Sequence, residues 1–137
     1  MDVLERFAGA WTLRRVIEDA AAGETWRFEG RAVFAPDAEG LAYVETGRLS
    51  GPGETSFEAE RRYLWRPAGS EIAIFFADGR PFHRFDPLSG DMETPHLCGA
   101  DLYRVTYTLD LPGAFTQIWR VTGPRKDAHI TSHFTRR

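Results

Sequence analysis

The segment "ETWRFEGRAVFA", residues 24–35, decides the fold class because its apolar and polar residues alternate. Successive side chains of a β-strand point to opposite faces of a sheet, so strict alternation predicts a strand with one buried face. The face predicted to be buried carries Trp26, Phe28, Gly30, Ala32 and Phe34. The opposite face carries the charged residues Arg27, Glu29 and Arg31. The segment therefore predicts a long strand that covers a hydrophobic core on one side.

Nine further segments show the same alternation or the same β-rich composition. They are "WTLRRVIED", "GLAYVETGRLS", "TSFEAERRYLWRP", "SEIAIFFA", "RPFHRFD", "METPHLC", "DLYRVTYTLD", "AFTQIWRVT" and "DAHITSHFTRR". Short turn signals, among them "APDAEG", "SGPGE", "ADGR" and "TGPRKD", separate these segments and leave no room for the crossover helices that parallel strands need. We therefore predict about ten antiparallel strands joined by hairpins.

A long antiparallel meander must close on itself or expose an apolar edge strand. Closure predicts an all-β protein, a single antiparallel up-and-down barrel that takes in residues 1–137 as one domain. The only predicted helix lies in "DVLERFAGAW", where Val3, Leu4 and Phe7 share one helical face and Gly9 ends the helix. A helix of one or two turns can cover one end of such a barrel.

The composition excludes several classes of partner. The net charge of −3 provides no electrostatic attraction to nucleic acid or to an anionic membrane, so neither is expected as a partner. Cys98 is the only cysteine, which excludes an intramolecular disulfide and fits a reducing compartment. The first residues lack the pattern of a secretory signal, and no apolar run is long enough to span a bilayer. We expect a cytoplasmic protein.

The residues Gly9-Ala10-Trp11 form a G-x-W element that follows the predicted helix and opens the first strand. This arrangement resembles the corresponding element of lipocalin-like, or calycin, barrels. The resemblance implies that Trp11 packs at the closed end of the barrel. It also implies that an arginine of the last strand, Arg136 or Arg137, covers the Trp11 ring by cation–π and hydrogen-bond contacts.

Seven segments along the chain carry a closer likeness: "GAWTLRR", "FEGRAVF", "YVETGRL", "ERRYLW", "FADGRPFHRFD", "HLCGADLYRVTY" and "WRVTGPRKD". Together they resemble a small family of bacterial, lipocalin-like proteins of unknown function. The resemblance implies a calycin-type barrel with an internal pocket, and it supplies no established reaction. The function must therefore be inferred from the residues themselves.

The predicted inward face carries several polar side chains, whereas a purely structural lumen would be filled with aliphatic ones. Glu45 and Arg61 lie on neighbouring strands and are expected to pair across the barrel. Such a pair could be structural. We prefer the hypothesis that it anchors a small, partly apolar ligand that carries a carboxylate or a carbonyl and can therefore be anionic. The predicted ligand-binding residues are Tyr43, Glu45, Arg61, Tyr63, Trp65, Phe76, Arg80, His83, His96, Asp101, Tyr103, Trp119 and Lys126.

Other functions are left open by the sequence. An enzyme could use His83, His96 and Asp101 as an acid–base centre, or Cys98 as a nucleophile. The spacing of "HLCGAD" matches no established metal motif, so no metal and no cofactor is expected. Haem could use His129 or His133 as its ligand, but no wider haem-binding motif accompanies these histidines. A homodimer or interaction module with a filled core is the remaining alternative.

Overall fold

The computed structural model describes residues 2–92 and 95–137 and contains ten antiparallel strands in a single sheet. The strands are β1 (Gly9–Asp19), β2 (Glu24–Asp37), β3 (Gly40–Ser50), β4 (Ser56–Ala68), β5 (Glu71–Phe76), β6 (Pro81–Phe85), β7 (His96–Cys98), β8 (Asp101–Asp110), β9 (Ala114–Thr122) and β10 (Asp127–Arg136). The prediction of an all-β, antiparallel barrel of about ten strands is confirmed. No helix in the described part of the chain is long and apolar enough to cross a membrane.

Pairing between the first and last strands turns the meander into a nearly closed barrel. Strand β1 pairs with β10 from Trp11 opposite Arg136 to Asp19 opposite Ala128, while its other edge pairs with β2. Strands β6 and β7 form the two ends of the sheet order and share no ladder in the described residues. The barrel therefore has one seam, between β6 and β7.

The segment that follows β6 packs onto β8 and covers part of this seam. The Tyr107 backbone N–H donates to the Gly90 carbonyl at 2.7 Å, and Asp91 forms an isolated bridge with Thr106. Gly90 has a φ of +82°, and a Cβ there would lie 1.9 Å from the Tyr107 carbonyl oxygen. Only glycine fits this close approach of two backbones.

Three local predictions differ from the structure. The predicted N-terminal helix is a single 3₁₀ turn over Leu4–Phe7. The predicted strand over residues 92–98 is shorter, since β7 covers only His96–Cys98 and residues 93–94 lie outside the described residues. The Asp-Gly pair of "ADGR" predicts a two-residue type I′ turn, but only Gly79, and not Asp78, has a positive φ. The Gly79 N–H donates to the Phe76 carbonyl, which gives a three-residue hairpin loop instead.

The closed end of the barrel is filled by aromatic rings. The 3₁₀ turn places Phe7 within 5.0–5.8 Å, centroid to centroid, of Phe34, Trp65 and Phe115. Phe115 in turn stacks on Phe134 at 4.2 Å. All five side chains are buried. Because these rings fill the closed end, the inward-facing polar side chains lie in the middle of the lumen.

Arg136 clamps Trp11 at the closed end. Its guanidinium lies 4.0 Å from the centroid of the fully buried Trp11 ring and donates to the carbonyls of Ala8, Arg6 and Pro112. A Cβ at Gly9, which has a φ of +116°, would lie 2.7 Å from this guanidinium. The glycine of the G-x-W element is therefore required by both its backbone angle and the arginine, and Arg136 rather than Arg137 covers the tryptophan.

We expect Arg136→Ala to lower the free energy of unfolding by about 2–4 kcal/mol, because three carbonyls lose a charged donor and Trp11 loses its cation–π partner. Urea denaturation followed by Trp fluorescence measures the change. Arg137→Ala is the matched control, since this neighbour is exposed, and should change stability by less than about 0.5 kcal/mol. Equal effects of the two substitutions would contradict the clamp.

Candidate functional site

The barrel encloses a cavity of about 100 Å³ between its aromatic closed end and its open end. All ten strands except β2 and β7 contribute to its wall. The lining residues are Arg15, Ile17, Tyr43, Glu45, Arg61, Tyr63, Trp65, Ile74, Phe82, His83, Tyr103, Tyr107, Phe115, Gln117, Trp119, Ile130 and Phe134. Eight of the sequence-predicted residues are on this wall: Tyr43, Glu45, Arg61, Tyr63, Trp65, His83, Tyr103 and Trp119. Apolar walls with a few convergent polar groups are typical of ligand sites.

One side of the cavity is built around a buried ion pair between Arg15 and Glu45. The two guanidinium nitrogens donate to the two carboxylate oxygens at 2.6 and 3.0 Å. Tyr43 donates to Glu45 Oε1 at 2.6 Å, and Arg15 Nε donates to the Ser132 hydroxyl at 2.7 Å. The side chains of Arg15 and Glu45 are only 11% and 3% exposed. A two-pronged, fully bonded arrangement offsets the desolvation of both charges.

The predicted pairing of Glu45 with Arg61 is wrong. Arg61 lies opposite Glu45 in the β3–β4 ladder, but its side chain is exposed and makes no hydrogen bond or ion pair with any described residue. Strand β2 separates β1 from β3; Arg15 lies opposite Phe28, and from there towards Glu45 the inward residues of β2 are Gly30 and Ala32. These small residues leave space for Arg15 to reach Glu45 over β2.

The ion pair holds both of its members in the charged state. Burial alone would raise the pKa of Glu45, but the hydrogen bonds and charge of Arg15 bring that pKa below its usual value. Burial alone would lower the pKa of Arg15, but Glu45 raises it. Burial and the neighbouring carboxylate raise the pKa of Tyr43 well above its usual value. The deep part of this wall thus carries opposite charges that cancel.

The other side of the cavity carries an uncharged hydrogen-bonded chain of Gln117, Tyr107 and His83. Gln117 Nε2 donates to the Tyr107 hydroxyl at 2.8 Å, and that hydroxyl lies 3.0 Å from His83 Nε2. His83 Nδ1 has no partner and is the only such buried side-chain nitrogen or oxygen among the described residues. Burial, with a smaller effect of His96, lowers the pKa of His83 to about 3. His83 is therefore neutral at physiological pH.

A bulge brings Phe82 into the wall beside His83. Ile74 pairs with His83, but the next residue, Phe75, pairs with Pro81, so Phe82 has no partner in the β5–β6 ladder. Such a bulge redirects a side chain. The Phe82 ring stacks on Trp119 at 5.2 Å and meets the edge of the His83 ring at 4.6 Å. Both Phe82 and His83 consequently line the cavity.

The remaining sequence-predicted residues lie at the open end, outside the cavity wall. Lys126 donates to the Tyr103 hydroxyl at 3.2 Å and forms an ion pair with Asp101 at 3.2 Å. Arg80 lies over the Phe76 ring and forms an ion pair with Asp78 of its own turn. The His96 ring meets the edge of Phe82, with 5.2 Å between the ring centroids. Each of these side chains is thus engaged with its neighbours at the rim.

The structure does not assemble the acid–base centre that the sequence left open. His83 bonds to Tyr107 and Asp101 pairs with Lys126, and in the described residues no hydrogen bond joins His83, His96 and Asp101. Cys98 is exposed and lies opposite Asp101 in the β7–β8 ladder. Across residues 2–92 and 95–137, no group of three metal-ligating side chains comes together.

The haem hypothesis fails on geometry. His129 and His133 are both exposed, and their positions on β10 alternate with Ile130 and Phe134, which line the cavity. Their imidazoles therefore face away from the lumen and cannot ligate a group held inside it.

Sequence reasoning missed Arg15, Tyr107, Gln117 and Ser132. The signal for each was the period of two. Arg15 follows Trp11 and Leu13 on the inward face, Tyr107 follows Tyr103 by four residues, and Gln117 precedes Trp119 by two. What the alternation could not indicate is which inward-facing residues meet across the lumen.

The fold and the cavity define a calycin-like β-barrel with a partly polar cavity in its lumen. The profile of the family of unknown function DUF6314 matches residues 7–136, so the chain belongs to that family. No curated protein shows significant sequence similarity to this chain.

Several solved structures share the barrel. The S-type phycobiliprotein lyase CPES from Guillardia theta superposes with a TM-score of 0.66 at 8% sequence identity, over 98% of this chain and 90% of the lyase chain. A de novo designed fluorescence-activating beta barrel has a TM-score of 0.47 at 13% identity, with coverage of 100% and 99%. The redesigned barrel mFAP1 bound to DFHBI has a TM-score of 0.47 at 14% identity, with coverage of 99% and 100%. The likeness to the lyase, at this identity, concerns the fold alone.

We expect Glu45→Gln to lower the free energy of unfolding by about 3–5 kcal/mol, because it leaves the buried Arg15 guanidinium without a counter-charge. Urea denaturation at pH 7 measures the loss. Glu58→Gln is the control, since its carboxylate is exposed on the outside of the neighbouring strand β4 and should matter little. A Glu45→Gln variant as stable as the control would show that the ion pair does not form.

The buried neutral His83 should make the protein less stable in mild acid. Its folded pKa of about 3 lies below the unfolded value of about 6.5, so the unfolded chain binds an extra proton between these values. Stability should therefore fall by about 2 kcal/mol from pH 7 to pH 5 through this group. The pKa of Glu45 is also lowered in the folded protein, but protonation of Glu45 reduces stability only below about pH 4.3, the usual pKa of a free glutamate.

Free energies of unfolding measured between pH 4.5 and pH 7 test this expectation. His83→Gln should remove the His83 component of the slope, whereas His129→Gln, at an exposed position, should retain it. An unchanged slope in His83→Gln would mean that His83 is not held neutral by burial.

Proposed function

We propose that this protein binds a small, partly apolar and anionic molecule in the cavity of its barrel. The carrying observation is the cavity of about 100 Å³ in the lumen, where aromatic walls surround the Arg15–Glu45 ion pair and the neutral chain of Gln117, Tyr107 and His83. A lumen needed only for stability would be filled by side chains, as small barrels commonly are.

The volume limits the size of the buried part of the ligand. A cavity of 150 Å³ is sufficient for benzene, so a chamber of about 100 Å³ accepts a group of only a few heavy atoms unless side chains move. A larger ligand must leave part of itself at the open end. There it would contact Tyr63, Tyr103 and the rim.

The distribution of charge supports an anionic group at the open end rather than deep in the lumen. Arg15 is neutralised by Glu45, and Lys126 and Arg80 are paired with Asp101 and Asp78. Arg61 lines the cavity, is exposed to solvent, and has no ion-pair partner in the described residues. Arg61 is therefore the proposed partner of a ligand carboxylate or similar anion, with the apolar part of the ligand facing Trp65 and Trp119.

No specific observation favours either of the two alternatives, an enzyme or a homodimer or interaction module with a filled core. An enzyme would need reacting groups within hydrogen-bond reach of each other, and His83, His96 and Asp101 have separate partners. A homodimer and a cytoplasmic location stay predictions. Native mass spectrometry reports the oligomeric state in the same measurement as retained ligands.

The proposal is tested by native mass spectrometry of protein purified from its own host, which should carry a non-covalent small-molecule adduct. Ile130→Trp should remove the adduct, because Ile130 lines the cavity and a larger ring there fills it. Ile118→Trp makes the same substitution on the outside of the adjacent strand, where Ile118 is 40% exposed, and should retain the adduct.

Arg61→Gln should weaken the adduct while leaving the fold intact, because Arg61 has no structural partner among the described residues. Thermal unfolding confirms the fold of each variant. A wild-type protein that carries no adduct and binds none from a host metabolite extract would overturn the proposed function. Equal retention by Ile130→Trp and Ile118→Trp would place the ligand outside the cavity.

A further inference from the structure

We propose that His83 Nδ1 is a hydrogen-bond donor reserved for the ligand, and that it selects molecules with an uncharged acceptor, such as a carbonyl oxygen or a ring nitrogen. The inference rests on the proposed function and deepens it, since it specifies the chemistry of the buried part of the ligand. It is carried by the neutral chain of Gln117, Tyr107 and His83 and by the lack of a partner at His83 Nδ1 among the described residues.

The direction of the chain fixes the tautomer of His83. Gln117 Nε2 is a donor, so the Tyr107 oxygen accepts from it, and the Tyr107 O–H is left to donate to His83 Nε2. His83 Nε2 is then the acceptor nitrogen, and the ring proton resides on Nδ1. The opposite tautomer would leave both the Tyr107 O–H hydrogen and the Nδ1 lone pair without partners, which is less favourable in a buried site.

The surroundings of His83 show why a ligand is the expected partner. The residue is 8% exposed, and Phe82 and Trp119 meet its ring edge-on at 4.6 and 4.8 Å. Neither ring offers an acceptor comparable to an oxygen or nitrogen atom. Buried donors in folded proteins are nearly always paired, so an unpaired one needs an explanation such as a functional role or a bound partner. All three rings line the cavity, so an occupant of the cavity can supply the missing acceptor.

Charge excludes an anion as the partner of His83. The imidazole is neutral because burial lowers its pKa to about 3, and burial also raises the pKa of Tyr107. The only cation deep in the described lumen, Arg15, is already neutralised by Glu45. A full negative charge beside His83 would be desolvated without a counter-charge, which is unfavourable. An uncharged acceptor gains the hydrogen bond without that cost.

The tautomer is tested first in the free protein by long-range ¹H–¹⁵N correlation spectroscopy of the histidine rings. The signal that disappears in His83→Gln identifies His83 among the four histidines. We expect the neutral Nδ1–H form at pH 7. Observation of the Nε2–H form would overturn the inference, whatever the protein binds.

Two substitutions test the roles of the two ring nitrogens of His83 separately. The amide nitrogen of Asn takes the place of Nδ1, so His83→Asn keeps a donor towards the ligand and loses the Tyr107 contact. The amide of Gln takes the place of Nε2, so His83→Gln keeps the Tyr107 contact and loses the donor. The two variants are thus matched, and thermal unfolding shows whether each is folded.

The probes are acetone and 2-methylpropene, which are small enough for the cavity, share a shape and differ in the presence of an acceptor oxygen. Their dissociation constants are measured by chemical-shift titration. We expect the preference for acetone over 2-methylpropene to fall about tenfold in His83→Gln relative to the wild type, and to persist in His83→Asn. The hydrocarbon should bind all folded variants alike.

The outcomes distinguish this inference from the proposed function. Binding of both probes with the same preference in wild type and His83→Gln would overturn the role of His83 and leave the cavity as a ligand site. Failure of both probes to bind the wild type would count against the cavity as a ligand site, and against the His83 contact with it. If a variant does not fold, the wild-type tautomer and the wild-type preference decide the question.

Discussion

The ladder between β1 and β10 is the constraint on which the rest of the molecule depends. It joins the two ends of the chain over nine residue pairs, from Trp11 opposite Arg136 to Asp19 opposite Ala128. That register sets Arg136 over Trp11 at the closed end. It also sets Arg15 opposite Ser132, whose hydroxyl accepts from Arg15 Nε. Without this closure the inward faces of the strands would enclose no chamber.

Because the barrel is closed, each buried polar side chain on its inward face needs a hydrogen-bond or ion-pair partner within the lumen. Arg15 and Glu45 satisfy each other across β2, because Gly30 and Ala32 leave the necessary space. Tyr107 and Gln117 satisfy each other on the opposite wall and bond to one nitrogen of His83. The deep part of the lumen is consequently polar without net charge, and one buried side-chain nitrogen, His83 Nδ1, has no partner among the described residues. These properties favour a small ligand whose buried part is uncharged and whose anionic part stays at the open end.

The likeness to the phycobiliprotein lyase CPES, at 8% identity and a TM-score of 0.66, illustrates how little sequence a barrel requires. The fold depends on alternation, on turns at short intervals and on closure of the first strand with the last. Many residues satisfy the inward positions of such strands equally well. The side chains that line the lumen can therefore differ between proteins that share the architecture. Function has to be inferred from these side chains and not from the fold.

The sequence by itself determined about ten strands, their antiparallel order and the inward positions, because alternation and turn residues are local properties of the chain. The covered Trp11 followed from the resemblance of the G-x-W element to that of calycin barrels. It also placed Tyr43, Tyr63, His83 and Tyr103 on the inward face. Only the tertiary structure decided that Glu45 pairs with Arg15 and not Arg61, that a bulge turns Phe82 into the lumen, and that His83, His96 and Asp101 have separate partners. Those outcomes depend on which strands face each other across the barrel and on the small residues between them. Distances between side chains on different strands cannot be read from any single segment of the sequence.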